Sequence, residues 1–311
     1  MRTHAHVATA CCLFSTLTIA CATTPQVAKE DEGVAAQVVA CDEGIVVACV
    51  DLAGRAERGD GVKKDLARAT ALFTKACDGG HAESCRWVAK HHEATGAGKA
   101  TTEFLEKACT EGDDAACVRA GRALFAGSPD ERKRSAAAFA RACERGHAPS
   151  CTGQGIFWST TGVDATHDMK RDETARTYFD KGCKGGDAQG CVNLAFLLEK
   201  GRGGFPDKDG ADALYQKACE QKNAHGCFNL AVRRRSAGTP ERDVEAAQLF
   251  DNACALDEPE GCAEVAWHHL RGRGVARDPT RARAFAERAC AKKIDKGCRI
   301  VSFLDQNPEG L

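Results

Sequence analysis

Sixteen of the nineteen cysteines in this 311-residue chain form eight pairs, with seven residues between the two members of each pair. Successive pairs begin 32 to 40 residues apart. A fixed local spacing inside a longer period is typical of stacked-repeat proteins, whose units contact only their neighbours. The pattern predicts a repeat array with one local disulfide in each unit. The pairs are Cys41 with Cys49, Cys77 with Cys85, Cys109 with Cys117, Cys143 with Cys151, Cys183 with Cys191, Cys219 with Cys227, Cys254 with Cys262 and Cys290 with Cys298.

The start of the chain is typical of a secretory signal. It has a basic beginning and an apolar run over residues 7–20, which is too short to span a membrane. Export places the chain in an oxidising compartment, and the sixteen paired cysteines are an even number, as a disulfide framework requires. The remaining three cysteines fall within this stretch, at Cys11, Cys12 and Cys21.

Two processing routes follow from the residues around Cys21. Thr18-Ile19-Ala20-Cys21 resembles a bacterial lipobox, which predicts a signal peptide over 1–20 and a lipidated Cys21 that begins a flexible tether over 21–32. The alternative is cleavage after Ala22, which releases a soluble protein. We therefore expect a periplasmic or outer-membrane lipoprotein, attached to the membrane through its lipid only, or alternatively a secreted protein.

Charge argues against one class of partner. The 43 basic and 44 acidic residues are interspersed and give a net charge of −1. Nucleic-acid binding normally needs a basic stripe, so no nucleic-acid partner is expected.

Residues around each cysteine pair show helical periodicity. We count positions backwards from the first cysteine in the preceding helix, named helix B, and forwards from the second cysteine in the following helix, named helix A. Position −4 is usually aromatic and position −1 is usually alanine, while position +3 is mostly apolar; these positions mark one buried face on each helix. A small residue at +4 in every repeat predicts a backbone that approaches very closely. The +4 residues are Ala53, Ala89, Gly121, Gly155, Ala195, Ala231, Ala266 and Ser302.

Turn signals separate these helices. Glycine follows several B helices, as expected of a helix C-cap, at Gly79, Gly112, Gly146 and Gly185. The best-formed A-to-B loops, at 59–65 and 272–278, both contain Gly-x-Gly-Val and end in aspartate, a good N-cap. The sequence predicts an all-α chain of about sixteen antiparallel helices. Each disulfide would close a loop of about nine residues and contribute about 2.5 kcal/mol.

Together these motifs resemble a known family. The pattern A-x-x-L-F/Y-x-K-A-C, glycine, a second cysteine, L-A and G-x-G-V-x-x-D is similar to a Sel-one-like repeat, over residues 33–311 in about eight units. The added cysteine pair resembles the cysteine-rich Hcp family of secreted bacterial proteins. The resemblance implies a right-handed α/α solenoid, similar to tetratricopeptide arrays, with a concave surface. It also implies an adaptor role, or alternatively penicillin binding and weak β-lactamase activity.

Catalytic motifs do not support the enzymatic alternative. No serine after the predicted signal is followed three residues later by lysine, and Lys-Thr-Gly is absent, although a serine β-lactamase needs both. No cofactor or metal site is predicted. The histidine pairs His91-His92 and His268-His269 occupy equivalent positions, +6 and +7. We interpret them as half-buried imidazoles that replace an aromatic residue, with metal or haem binding as the alternative.

Binding residues are expected on the A helices, away from their buried stripe. Asparagine at +2 often holds peptide backbone in tetratricopeptide grooves, and arginine favours an acidic peptide. Apolar residues there indicate a contact surface, or packing between neighbouring A helices. The candidates are Trp87, Lys90, Asn193, Phe196, Asn229, Arg233 and Trp267. We therefore predict an exported, monomeric scaffold that binds a protein or peptide partner in the cell envelope, with the Hcp-type activity as the alternative.

Overall fold

The computed structural model describes residues 32–160 and 168–307, and these residues form sixteen α-helices and no strand. The all-helical prediction is confirmed. None of these helices is both long and apolar enough to cross a membrane. The predicted signal peptide, Cys21 and most of the tether lie outside the described residues. The helices are α1 Glu32–Asp42, α2 Val46–Arg58, α3 Leu66–Asp78, α4 Ala82–Ala94, α5 Gly98–Thr110, α6 Asp114–Leu124, α7 Pro129–Glu144, α8 Ala148–Thr160, α9 Met169–Lys184, α10 Ala188–Lys200, α11 Lys208–Glu220, α12 Ala224–Ser236, α13 Pro240–Ala255, α14 Pro259–Arg271, α15 Pro279–Ala291 and α16 Asp295–Gln306.

Odd-numbered helices are the B helices and even-numbered helices are the A helices. From one B helix to the next A helix the chain turns in only three residues. The second cysteine of each pair therefore already lies in the first turn of helix A, at Cys49, Cys85, Cys117, Cys151, Cys191, Cys227, Cys262 and Cys298. All eight predicted disulfides are formed, with Cα–Cα distances of 4.5–4.7 Å. Each disulfide closes one tight B-to-A turn, as the spacing predicted.

Every B-to-A turn contains one left-handed residue, and it always stands three positions after the first cysteine. Glycine is the residue that adopts this conformation without steric cost, and five of the eight turns use it. Gly79 and Gly185 stand at the ends of their helices, as predicted, but the left-handed residue in these two turns is the next glycine. Three turns use a larger residue in this conformation, namely Lys222, Asp257 and Lys293.

The small residue at +4 makes room for an aromatic ring. A Cβ atom added to Gly121 would lie 2.6 Å from the Phe139 ring, and one added to Gly155 would lie 2.5 Å from the Phe179 ring. A close approach at +4 was predicted and is found. The group that approaches these two glycines is an aromatic side chain of the following B helix, whereas the prediction named a backbone. Ser302, the last +4 residue, is exposed, since no described helix follows α16.

Close backbone contact occurs instead at the residue before the second cysteine. Glycine stands there in the last four repeats, and a Cβ added to Gly226 would lie 2.9 Å from the backbone nitrogen of Cys219. The disulfide, the small residue beside it and the short turn thus hold consecutive helices at minimal separation.

Two A-to-B loops dock on the preceding B helix. In the loop after α14, Gly274 has φ +70°, and an added Cβ would lie 2.2 Å from the carbonyl oxygen of Asp243 in α13. Arg273 Nε donates to the Asp243 carboxylate at 2.6 Å. The loop after α10 repeats this arrangement, since Arg202 donates twice to the buried Asp172 of α9, at 2.9 and 2.6 Å. These loops join one repeat to the previous one.

Candidate binding face on the A helices

The A helices lie side by side, with contacts along α6, α8, α10 and α12 and between α14 and α16. Equivalent positions on successive A helices therefore form rows along the solenoid. We call the rows at −2, +2 and +5 the A face. Six of the seven predicted binding residues lie on the A face, and Arg233 lies beside it at +6.

The two predicted tryptophans are engaged within the protein. Trp87 donates its indole N–H to Glu57 at 3.1 Å, and its ring centroid lies 4.4 Å from that of Phe73. Trp267 lies between two cations, with Lys296 Nζ at 5.2 Å and the Arg273 guanidinium at 5.6 Å from its ring centroid. Both rings are half-buried between helices, which is the packing alternative that the sequence left open.

Arg233 is also engaged within the protein. Its Nε donates to the carboxylate of Asp212, and its Nη2 donates to the backbone carbonyl of Lys208 at 3.1 Å. These partners belong to α11, so the guanidinium links α11 to α12. Its side chain is 17% exposed, and it shares the Asp212 carboxylate with Arg234 while Glu199 lies 4.0 Å away.

The two predicted asparagines differ in their contacts. Asn193 Oδ1 accepts a hydrogen bond from the Gln189 side-chain amide at 3.0 Å. Asn229 is half-buried, and its side chain has no hydrogen-bond partner within the described residues. Lys90 is exposed and unpaired within the same ranges, and Phe196 is 43% exposed. Lys90, Phe196 and Asn229 are therefore the predicted residues that remain available to a ligand.

Two residues that the prediction did not select also shape this face. Arg122, at +5 of α6, is exposed, and its guanidinium forms no ion pair or hydrogen bond within the described part of the chain. Gly153, at +2 of α8, replaces the side chain that every other A helix carries there. Both residues could have been selected from the sequence by comparing the residues at +5 and at +2 across all repeats.

Two histidine–serine pairs lie at the starts of A helices, and the first of them, His81 with Ser84, caps α4. His81 Nδ1 accepts from the Ser84 backbone N–H at 3.2 Å and lies 2.8 Å from its hydroxyl oxygen; His147 Nδ1 lies 2.9 Å from the hydroxyl oxygen of Ser150. Ser84 and Ser150 are both fully buried. A buried hydroxyl that is hydrogen-bonded within its own helix start is inaccessible to a substrate, so these pairs do not favour the hydrolase alternative.

The adjacent histidines pack against aromatic rings. His92 is stacked on Phe104 with centroids 5.4 Å apart, and His269 is stacked on Phe285 at 6.0 Å. His268 Nδ1 lies 2.6 Å from the carbonyl oxygen of Arg273, and burial lowers the pKa of this imidazole. No group of three or more metal-ligating side chains occurs in residues 32–160 and 168–307. His91 and His92 are half-buried as predicted, whereas His268 and His269 are buried against aromatic rings.

One carboxyl on this side of the solenoid has a strongly shifted pKa. Glu258, at the start of α14, is 7% exposed, and its Oε2 lies 2.7 Å from His225 Nδ1 of α12. Burial, with the hydrogen bond and negative charge of Glu260, raises the pKa of Glu258 from 4.5 to about 7. The folded protein therefore holds this proton more tightly than the unfolded chain does.

Replacement of Glu258 by glutamine is expected to stabilise the protein at high pH. Because the folded-state pKa is raised, the contribution of this group to stability is greatest below about pH 4.5 and is lost as the pH rises towards 7. At pH 8, Glu258→Gln should increase the free energy of unfolding by about 2 kcal/mol, and at pH 4.5 the difference should nearly vanish. Urea denaturation at both pH values measures this effect.

The matched control is Glu144→Gln, which removes an exposed carboxylate at the end of α7. Its pH dependence should match that of the wild-type protein. A Glu258→Gln protein that is less stable than wild type at pH 8 would contradict the assigned cause.

Antiparallel helix pairs stacked in one direction, each joined to the next by a disulfide-closed turn, define an α-solenoid. A Sel1 repeat model matches three segments of the chain, 46–81, 188–223 and 259–293. Each segment spans one A helix and the next B helix, and each carries a Gly-x-Gly loop in which both glycines are left-handed. These three segments are Sel1 repeats, and the chain has the fold of a Sel1-repeat solenoid.

Solved structures show the same fold. One is a protective antigen present in uropathogenic Escherichia coli strains displaying an SLR fold, which is 21% identical with a TM-score of 0.72. The match covers 91% of this chain, which spans only 61% of that protein. A Sel1 repeat protein from Oxalobacter formigenes is 17% identical with a TM-score of 0.71, covering 89% of this chain and 82% of its own. No curated protein matches the chain. At these identities the likeness establishes the fold alone.

Proposed function

We propose that this protein is an exported scaffold that binds proteins or peptides of the cell envelope through a concave surface formed by its A helices. The proposal rests on side chains of the A face that have no polar partner within the described residues or that expose an apolar ring to solvent. Lys90 and Asn229 have no hydrogen-bond or ion-pair partner in the described ranges, and Phe196 is 43% exposed although Lys200 Nζ lies 5.8 Å from its ring centroid. Such groups on a rigid scaffold are available to a ligand.

Compartment supports the same proposal. Sixteen cysteines in eight disulfides fit an oxidising environment outside the cytosol. The signal over 1–20, with Cys21 as the lipidated residue and 21–32 as the tether, would hold a monomeric solenoid close to a membrane without a spanning helix. Partners would then be other envelope proteins, in keeping with the protein binding that is general among Sel1 repeat proteins.

Substitution on the A face tests the proposal. The triple variant Lys90→Glu, Phe196→Ser, Asn229→Ala removes the available groups without touching the engaged Arg233 or Trp267. It should lose the envelope proteins that chemical cross-linking joins to the wild-type protein, and mass spectrometry identifies these and maps the cross-linked residues.

Phe205→Ser is the matched control. Phe205 is 94% exposed in the loop after α10, away from the A face, so this variant removes a more exposed aromatic ring from a different surface. It should retain every cross-linked partner. The proposal is wrong if the triple variant keeps its partners while its melting temperature equals that of the wild-type protein.

A further inference from the structure

The row at +5 has an uneven chemical character along the solenoid. Two cations occur on α4 and α6, and every later A helix carries an apolar side chain at this position. The row reads Gly54, Lys90, Arg122, Ile156, Phe196, Val232, Trp267 and Phe303. A row of this kind presents positive charge at one end and apolar surface over the rest.

The two cations of this row are free, whereas their neighbours are paired. Arg119, one turn before Arg122, donates to Glu93 at 2.6 Å. Arg122 and Lys90 are exposed and have no carboxylate partner in the described ranges. An exposed guanidinium with no internal partner keeps its five donors for a carboxylate, which it can bind through two parallel hydrogen bonds.

A groove of about 380 Å³ opens beside Arg122, between α6, α8 and α10. Its walls include the apolar side chains of Phe125, Phe139 and Ile156. The Phe139 ring packs directly against Gly153 at the wall of this groove. A Cβ there would lie 2.4 Å from that ring, whereas the other A helices carry a side chain from Asp to Trp at +2. Glycine at this position thus lets the Phe139 ring pack against α8 and form an apolar wall of the groove.

Arg122 separates this pocket from a second groove. The second groove, of about 420 Å³, lies between α4, α5 and α6 and is lined by Glu93, Leu105 and Arg122. A ligand that crosses from one groove to the other must pass the free guanidinium. Adjacent packed helices are about 8–10 Å apart, and an extended peptide advances about 3.3 Å per residue. One to three residues therefore span the distance from the cation to the pocket.

We infer that this part of the A face binds an extended peptide segment of a partner protein in which an acidic residue lies one to three positions from a bulky apolar residue. The carboxylate pairs with Arg122, and the apolar side chain fills the pocket over Phe139. The inference rests on the proposed function and names the ligand chemistry of the same face. Charge complementarity selects the acidic residue, and the pocket formed at Gly153 selects the apolar one.

Selection from a random dodecapeptide phage library on the oxidised full chain tests this inference. Enriched sequences should contain aspartate or glutamate one to three residues from Phe, Leu, Ile, Met or Trp. Fluorescein-labelled, C-terminally amidated versions are then titrated by fluorescence anisotropy. Arg122→Glu should weaken binding at least tenfold, and the same peptide with its acid changed to lysine should recover most of that loss on the variant.

Arg132→Glu is the matched control, since Arg132 is an exposed arginine without an ion-pair partner in the described residues but lies on the B helix α7. It should bind as the wild-type protein does. The inference is overturned if the peptides that bind the triple variant of Lys90, Phe196 and Asn229 more weakly contain no acidic residue. It is also overturned if Arg122→Glu does not change their affinity. Either outcome leaves the proposed function standing. Dependence on a free C-terminal carboxylate also overturns the inference. Failure to enrich any peptide that either the triple variant or Arg122→Glu weakens counts against both.

Discussion

Reduction of the eight disulfides is expected to unfold the solenoid at 25 °C. Each bridge closes a loop of about nine residues and contributes about 2.5 kcal/mol on the chain-entropy model, so eight contribute about 20 kcal/mol. This exceeds the 5–15 kcal/mol by which folded domains are typically stable. The buried residues are largely alanine and cysteine, which bury little apolar area each, so the core alone offers little compensation.

Circular dichroism at 222 nm measures this loss of helix, with tris(2-carboxyethyl)phosphine as reductant and thiol counting by mass spectrometry as confirmation. A matched variant removes one internal bridge, Cys183→Ala with Cys191→Ala, and should remain folded with a melting temperature lower by about 5–10 °C. A fully reduced protein that keeps its helical signal and a cooperative transition close to that of the oxidised form would show that packing alone holds the repeats.

Gly274→Ala is expected to cause a large loss of stability. The added Cβ would meet the backbone carbonyl of Asp243 at 2.2 Å, and the φ of +70° already disfavours alanine. Backbone atoms of a packed helix cannot turn aside as a flexible side chain can. Overpacking and the left-handed conformation together should cost about 3 kcal/mol or more.

Gly61→Ala isolates the contribution of the inter-repeat contact. Gly61 occupies the equivalent loop position with a φ of +68°, but the nearest atom to its added Cβ is the flexible Arg55 Nη1 at 3.6 Å. This variant should lose only about 1 kcal/mol, which is the strain of the conformation alone. Urea denaturation of both variants measures the loss in free energy of unfolding. Equal losses in the two variants would mean that the loop does not depend on its contact with α13.

Much of the scaffold could be predicted because its determinants are local. Seven residues between two cysteines suffice for a helix end, a three-residue turn and the first turn of the next helix, so the disulfides follow from spacing. The aromatic at −4 and the small residue at +4 likewise appear in the sequence before their contact is known. The left-handed residue three places after the first cysteine was less visible, because Lys222, Asp257 and Lys293 are not turn residues by type.

Less of the binding face could be predicted, because availability depends on neighbours from other repeats. Arg233 and Trp267 have the composition of contact residues, yet Asp212 pairs with the first and two cations enclose the second. Arg122 has no better pattern than Arg119, but only Arg119 finds a carboxylate among the described residues, on α4.

Short-range spacing along the chain was enough to establish the repeat, the helix pairs and their disulfides, since each of these joins residues within about one helical hairpin. Which side chains stay free, and where a groove opens at Gly153, became known only from the packed solenoid. Ion pairs between repeats join residues about 20 to 35 positions apart, and a periodic sequence offers many equivalent partners at those distances. Packing selects one of them for each side chain and leaves a few without any.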